Sequence, residues 1–170
     1  DSVWALGYAP DANASTSLLL AVLFAAQILC DFGGYSSIAC GLAYWLGFRL
    51  PENFNSPYAA ASFQEFCRQW HITLSTWLRD YLYVPLGGNR RGLVRTHVNL
   101  MITMLLGGLW HGASWTFVIW GGIHGAALVT ERALGLDARG RRRGPVATLL
   151  WAGRLQAVVV LAWVFFRSDS

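Results

Sequence analysis

The chain has 170 residues, of which 55% are hydrophobic and 13% charged. Soluble domains carry about 25% charged residues, so the composition excludes an ordinary water-soluble globule and points to lipid as the solvent. The net charge is +4 and all 13 basic residues are arginine. They flank apolar segments and form no separate basic–aromatic strip, so the charge reads as membrane topology and not as a nucleic-acid surface.

Nine tryptophans and 18 glycines agree with this, because Trp is favoured at membrane–water interfaces and Gly is commoner in transmembrane helices than in soluble ones. The apolar run 17–30 meets Asp31 and the glycine-rich DFGGYSS, then resumes to Phe48. A spanning helix needs about 20 apolar residues. The pattern therefore predicts one helix into the membrane, a break at Gly33–Gly34 and a second helix out. Asp31, a lone carboxylate in that run, is expected to find an arginine or the backbone donors of the break.

Residues 49–58, with Pro51, Pro57 and two asparagines, predict a loop. Residues 59–84 predict a helix with Phe63, Phe66, Trp70, Leu74, Trp77, Leu78 and Leu82 at helical spacing. Arg68, His71, Arg79 and Asp80 interrupt it, which suggests an interfacial or re-entrant helix. Arg79 and Asp80 are adjacent, so each is expected to pair elsewhere. PLGGNRRG, 85–92, reads as a turn. Residues 93–110 and 115–130 predict two further apolar helices, then an arginine-rich connection (Arg132, Arg139, Arg141 to Arg143) and a last helix over 146–166. The whole is all-α, a single polytopic membrane domain over 1–170 with interrupted or re-entrant helices. It opens on Asp1 and closes on Ser170 just after an apolar stretch, and is expected to be a piece of a longer protein.

Cys30, Cys40 and Cys67 lack metal or redox spacing and read as small buried hydrophobes. None of the pairs among His71, His97, His111 and His124 has zinc-ligand spacing, so no metal is expected. His111 lies in WHGASW between two apolar helices, beside Gly107, Gly108 and Gly112. Ionisable residues inside membrane segments are functional by default, and the glycines admit a close backbone or a thin ligand. The alternative is a histidine hydrogen-bonded between helices. His71 shares a helix face with Cys67 and Ser75 at i±4 spacing. That allows either a Cys67–His71 nucleophilic dyad or a structural histidine capped by Ser75.

DFGGYSSIACGLAYWLGFRLPENFNSPY, FCRQWHITLSTWLRDYLYVPLGGNRRG and LLGGLWHGASWTFVIWGGIHG, in that order, resemble the membrane-bound O-acyltransferase family. Within it they are most similar to the bacterial alginate O-acetyltransferase branch, whose relatives include the D-alanyl transferases of teichoic acids. The resemblance covers about residues 20–135 and the terminal WVFFRSDS. It implies that His111 is the family's near-universal histidine and that His71 is its second characteristic one; His97 and His124 match no catalytic role. Cys67 and Gln69 stand where the family usually has an aromatic and a second arginine, which speaks against Cys67 as a nucleophile.

The resemblance further implies a multi-pass protein of the bacterial inner membrane in contact with lipid. It implies acyl transfer, most simply of acetyl, from a thioester to a hydroxyl, with no bound cofactor. The acyl-thioester donor, acyl-CoA or an acyl carrier protein, is a co-substrate, and the acceptor is an exported polysaccharide or a periplasmic acetyl-relay protein. His111 would act as general base, kept neutral among Trp110, Trp115 and the glycines, with His71 or Asn89 assisting the oxyanion. A proton-relaying transporter or flippase, and an inactive scaffold of a polysaccharide export complex, are the competing readings. The arginines on both flanks of the 96–130 helix pair predict that both its ends face the cytoplasm. An apolar arm of 15 residues, about 22 Å as helix, would then leave His111 inside a core about 30 Å thick.

Overall fold

A computed structural model describes residues 13–136 and 144–167. Among these residues the chain is helical, with no strand. Helix α1 spans Ala14–Trp45. A one-turn 3₁₀ segment covers Pro57–Ala59, α2 spans Phe63–Gln69 and α3 spans Ile72–Leu78, continuing as a π-helical turn over Arg79–Tyr83. Helix α4 spans Gly92–His111, α5 Trp115–Ala133 and α6 Pro145–Arg167. Three of these, α1, α4 and α6 from Val146, are long and apolar enough to cross a membrane.

Helix α1 corrects the predicted break. It is one continuous helix of 32 residues, about 48 Å long. A glycine inside a helix costs only about 1 kcal/mol, whereas a broken helix in lipid leaves several backbone groups unsatisfied. The Ser37 hydroxyl bonds back to the Gly33 carbonyl at 2.9 Å and the helix runs through. Asp31 therefore has no helix end to cap. It lies on an exposed face without a partner among the described residues. Leu18, Leu19, Val22, Leu23, Ile38 and Leu42 are exposed on the same helix, which suits lipid. Cys30 is also exposed, against the expectation that every cysteine is buried.

The single helix predicted over 59–84 is in fact three pieces. Ser62 caps α2, accepting from the Glu65 amide at 3.1 Å. Helix α2 stops because Trp70 is extended and His71 takes a left-handed conformation, φ 46. Cys67, His71 and Ser75 consequently do not share a helix face. Arg79 and Asp80, expected to part, pair with each other on an exposed turn at 2.7 and 3.1 Å. The Arg stem is long enough to swing beside its neighbour where no other charge competes.

Helices α4 and α5 form an antiparallel hairpin joined by Gly112–Ala113–Ser114, with the Ser114 hydroxyl capping α5 through the Thr116 amide at 3.2 Å. Their crossing depends on two glycines. A β-carbon on Gly108 would lie 2.3 Å from the Phe117 carbonyl oxygen, and one on Gly121 2.4 Å from that of Met104. Only bare backbone allows this approach. The core gathers Phe63, Phe66 and Trp70 with Trp120, Leu155, Val159, Ala162 and Trp163. A buried carboxylate ties three helices together: Glu131 of α5 accepts from the Gln64 amide at 3.2 Å and from Arg154 of α6 at 3.3 Å.

Candidate active site

The residues 49–58 loop folds over the α2–α3 break and holds it open. The Ile72 amide donates to the Asn53 carbonyl at 2.9 Å, and the Asn55 amide to the Gln69 carbonyl at 3.0 Å. The side-chain oxygen of Asn53 accepts from the Thr73 amide at 3.3 Å and from the Thr73 hydroxyl at 2.9 Å, and lies 3.1 Å from His71 Nδ1. With that oxygen established as an acceptor, Nδ1 of His71 carries the proton and Nε2 the lone pair. Phe32 of α1 and Trp110 stand edge-on to the ring at 4.7 and 6.1 Å. Half-burial lowers the His71 pKa from its usual value, with its own backbone hydrogen bond opposing, so the ring is neutral at pH 7. Left-handed non-glycine backbone costs of order 1–3 kcal/mol and is typical of functional positions.

This partner corrects two expectations. The Ser75 hydroxyl bonds to the Trp70 carbonyl at 3.2 Å and does not cap His71. No hydrogen bond joins Cys67 to His71, whose Nδ1 is committed to Asn53. Burial first, and then the Glu131 carboxylate, pushes the Cys67 thiol up to about 12. A thiol in that state is a poor nucleophile.

His111 is the last residue of α4, three residues beyond the Gly108–Gly121 crossing. Its ring is enclosed by Trp110 at 5.0 Å, Trp120 at 5.1 Å, Phe166 at 5.2 Å and Phe117 at 6.3 Å. Trp115 was expected in this cage but is 79% exposed, since it starts α5 on the outer side. Neither ring nitrogen of His111 has a hydrogen-bond partner among the described residues, so the histidine hydrogen-bonded between helices is not what forms. Trp110 stands edge-to-face with both imidazoles, its ring centroid 5.0 Å from that of His111 and 6.1 Å from that of His71.

A cavity of about 690 Å³ runs along the hairpin and is lined by both histidines. On α5 its wall follows Trp120, His124, Leu128 and Arg132, one helical stripe; on α4 it follows Leu100, Thr103, Met104, Gly107 and His111. His124, set aside in the sequence, is thus part of the wall, with Nδ1 3.1 Å from the Trp120 carbonyl. His97 is not in the lining. Asn89 lines the cavity, but at the wrong end for the oxyanion role. Its neighbour Gly88 is bound to Asn99 at 3.2 Å, and Asn99 precedes His111 on α4 by 12 residues, or about 18 Å. Asn53, Trp120 and Phe166 escaped sequence reasoning, because Asn53 sits in a plain polar loop and the two aromatics look like ordinary core.

Helix α4 has 20 residues, about 30 Å, and so matches the hydrocarbon core. Arg95 and His111 lie 16 residues apart along it, about 24 Å. Arg139 and Arg141 to Arg143, which the topology expectation also used, lie outside the described residues.

The family model for the membrane-bound O-acyltransferase family matches residues 13–136. A probable alginate O-acetylase of Pseudomonas putida is 55% identical over 88% of the chain and 30% of its own length. One from Azotobacter vinelandii is 51% identical over 94% of the chain and 31% of its length. A peptidoglycan O-acetyltransferase of Helicobacter pylori is 46% identical over 85% of the chain and 27% of its length. The chain thus spans about three-tenths of these relatives, and that portion holds both motif histidines and the cavity between them. A family match over most of the chain, apolar membrane-length helices and this histidine pair lead to one conclusion: the chain belongs to the membrane-bound O-acyltransferase family.

Proposed function

We propose that the whole protein is an O-acyltransferase of the bacterial inner membrane. It would move an acyl group, most simply acetyl, from a cytoplasmic thioester to a hydroxyl of an exported polysaccharide or of a relay protein on the far side. The observation that carries this is His111: an imidazole with no hydrogen-bond partner among the described residues, caged by aromatics, at one end of a cavity along the α4–α5 hairpin. The relatives' names, alginate O-acetylase and peptidoglycan O-acetyltransferase, support a polysaccharide acceptor.

A hydroxyl is a weak nucleophile until a base takes its proton. In this reading His111 removes the acceptor's proton as the oxygen attacks the thioester carbonyl. The tetrahedral intermediate collapses with cleavage of the C–S bond, and the proton on His111 passes to the leaving thiolate. The products are an ester, a thiol and neutral His111. His71, whose Nδ1 donates to Asn53, presents an accepting Nε2 and would accept from a second, neighbouring hydroxyl of the acceptor, aligning it while the single proton of the attacking hydroxyl goes to His111; this role replaces the oxyanion assistance first considered for it. The donor, acyl-CoA or an acyl carrier protein, is consumed as a co-substrate.

The test is transfer by purified full-length protein in detergent or liposomes, from a radiolabelled acetyl thioester to polysaccharide. Ester-linked label on the polymer is the expected result. Passage of substrate across a liposome without ester formation would mean a transporter. Neither transfer nor transport would mean a scaffold.

A further inference from the structure

The cavity does not continue past His111. Its described lining stops at His111 on α4 and at Trp120 on α5, and none of it comes from α6. Two phenylalanines stand behind that end. Phe117 is the third residue of α5, and Phe166 is the last but one of α6. Helix α6 runs back along α5, since Glu131 meets Arg154 near one end and Phe117 meets Phe166 at the other. The two rings are edge-to-face at 5.1 Å. Phe166 also lies 5.2 Å from His111, 5.5 Å from Trp120 and 5.2 Å from Trp163. Rings in contact have centroids about 4.5–7 Å apart, so this wall has no gap to spare. Phe117 is pinned from its other side, because a β-carbon on Gly112 would lie 2.6 and 2.9 Å from its ring. Trp120 and Trp163, both buried, back the wall with the core.

We propose that Phe117 and Phe166 determine which acyl group is transferred, closing the site so that it takes acetyl and rejects longer chains. This rests on the acyltransferase reading above and adds the residues that select the acyl group.

The directions at the reacting carbon lead to this. A thioester carbon holds sulfur, oxygen and the acyl chain in one plane. Sulfur carries the rest of the donor, so it must lead back along the cavity. The acceptor hydroxyl attacks across the plane, from the side where His71 and the largely exposed Trp110 leave room. The acyl chain is left with the aromatic end. A methyl group can rest on the rings there. Each further methylene would have to push aside a ring whose other faces are already in contact, and interiors packed to this density yield little. One methylene too many in an apolar pocket costs about 10–200-fold in kcat/KM.

The test measures kcat/KM of purified full-length protein for acetyl, propionyl and butyryl thioesters of coenzyme A and, in parallel, of acyl carrier protein. Wild type should lose about ten-fold or more with each added methylene. Phe166→Ala should raise the butyryl-to-acetyl ratio by about ten-fold or more. Phe166→Leu, which keeps the site packed but shortens the wall, should raise it by less, and Phe117→Ala should act in the same direction. Trp115→Ala, at the exposed outer start of α5, should keep the wild-type order. Ratios taken within one variant cancel any loss of folded protein, and the wild-type series needs no variant at all. Equal use of the three acyl groups by wild type would overturn the proposal. So would Phe166 variants that slow all three alike, or a Trp115→Ala that shifts the ratio as far as Phe166→Ala. Each of those leaves acyl transfer standing; transfer from none of the thioesters on either carrier would remove the acyltransferase reading and this one with it.

Discussion

The Gly108–Gly121 crossing makes a quantitative demand on the site. In Gly108→Ala the new β-carbon would lie 2.3 Å from the Phe117 carbonyl oxygen and 3.3 Å from the Gly121 α-carbon. Ordinary contact begins near 3.4 Å, so α4 and α5 must separate by about 1.1 Å. The obstacle is backbone, which cannot rotate away as a side chain can. His111 is three residues beyond on α4, and Trp120, 5.1 Å from its ring, is next to Gly121 on α5, so the shift opens that pair directly. A misplacement of 1 Å can cost about 10²-fold in rate, or about 2.7 kcal/mol of barrier, with about 1–3 kcal/mol of stability lost to overpacking. The assay is acetyl transfer per molecule of monodisperse full-length protein in detergent, so that lost protein is not counted as lost activity. Gly122→Ala is the control. Its nearest neighbour is Leu105 Cδ2 at 3.7 Å, and it should stay within about two-fold of wild type. A Gly108→Ala protein as active as the control would refute the claim that this crossing sets the position of His111.

Further expectations concern the surrounding residues. Cys67→Ala should keep its rate within about two-fold, and mass spectrometry of the turning-over enzyme should find no acyl group on Cys67. Asn53→Ala leaves the His71 donor and the Thr73 amide unanswered, a loss of about 1–3 kcal/mol. Transfer should fall about ten-fold or more, and Asn53→Asp, which keeps the acceptor, should recover part of it. Acid should destabilise the protein through His71. The unfolded chain binds the proton near pH 6.5, whereas burial lowers the folded value. The stability from His71 is thus complete above 6.5 and is lost as pH falls through 6.5 toward the folded value. Thermal melts from pH 7.5 to 5 should show a shallower decline in His71→Gln than in wild type; equal slopes would contradict this.

The sequence carried the helical class, the loop over 49–58, the α4–α5 hairpin and His111, because each rests on a strong local signal: a long apolar run, a proline pair, a histidine amid glycines. It misread α1 because Gly33 and Gly34 break helices in water more readily than in lipid, where an interrupted backbone has no solvent to bond. It merged α2 and α3 because Phe63, Phe66, Trp70 and Leu74 keep helical spacing across a break made by contacts from Asn53, 18 residues away from His71. The aromatic cage was assigned to Trp115 by proximity in sequence, while folding brings Phe166 from α6 to within 5.2 Å of His111. Asn89 was close in motif but distant along the hairpin. Such errors share a cause: local pattern specifies elements, and long-range packing decides which side chains meet.

The central claim is that His111 is the base. It is tested most directly by the acetyl-transfer rate of purified full-length His111→Ala, compared with wild type at equal amounts of monodisperse protein. Loss of general-base catalysis predicts a fall of about 10²–10⁴-fold with donor and acceptor still bound. A rate within about ten-fold of wild type would contradict the account and leave His111 a residue of the aromatic packing alone.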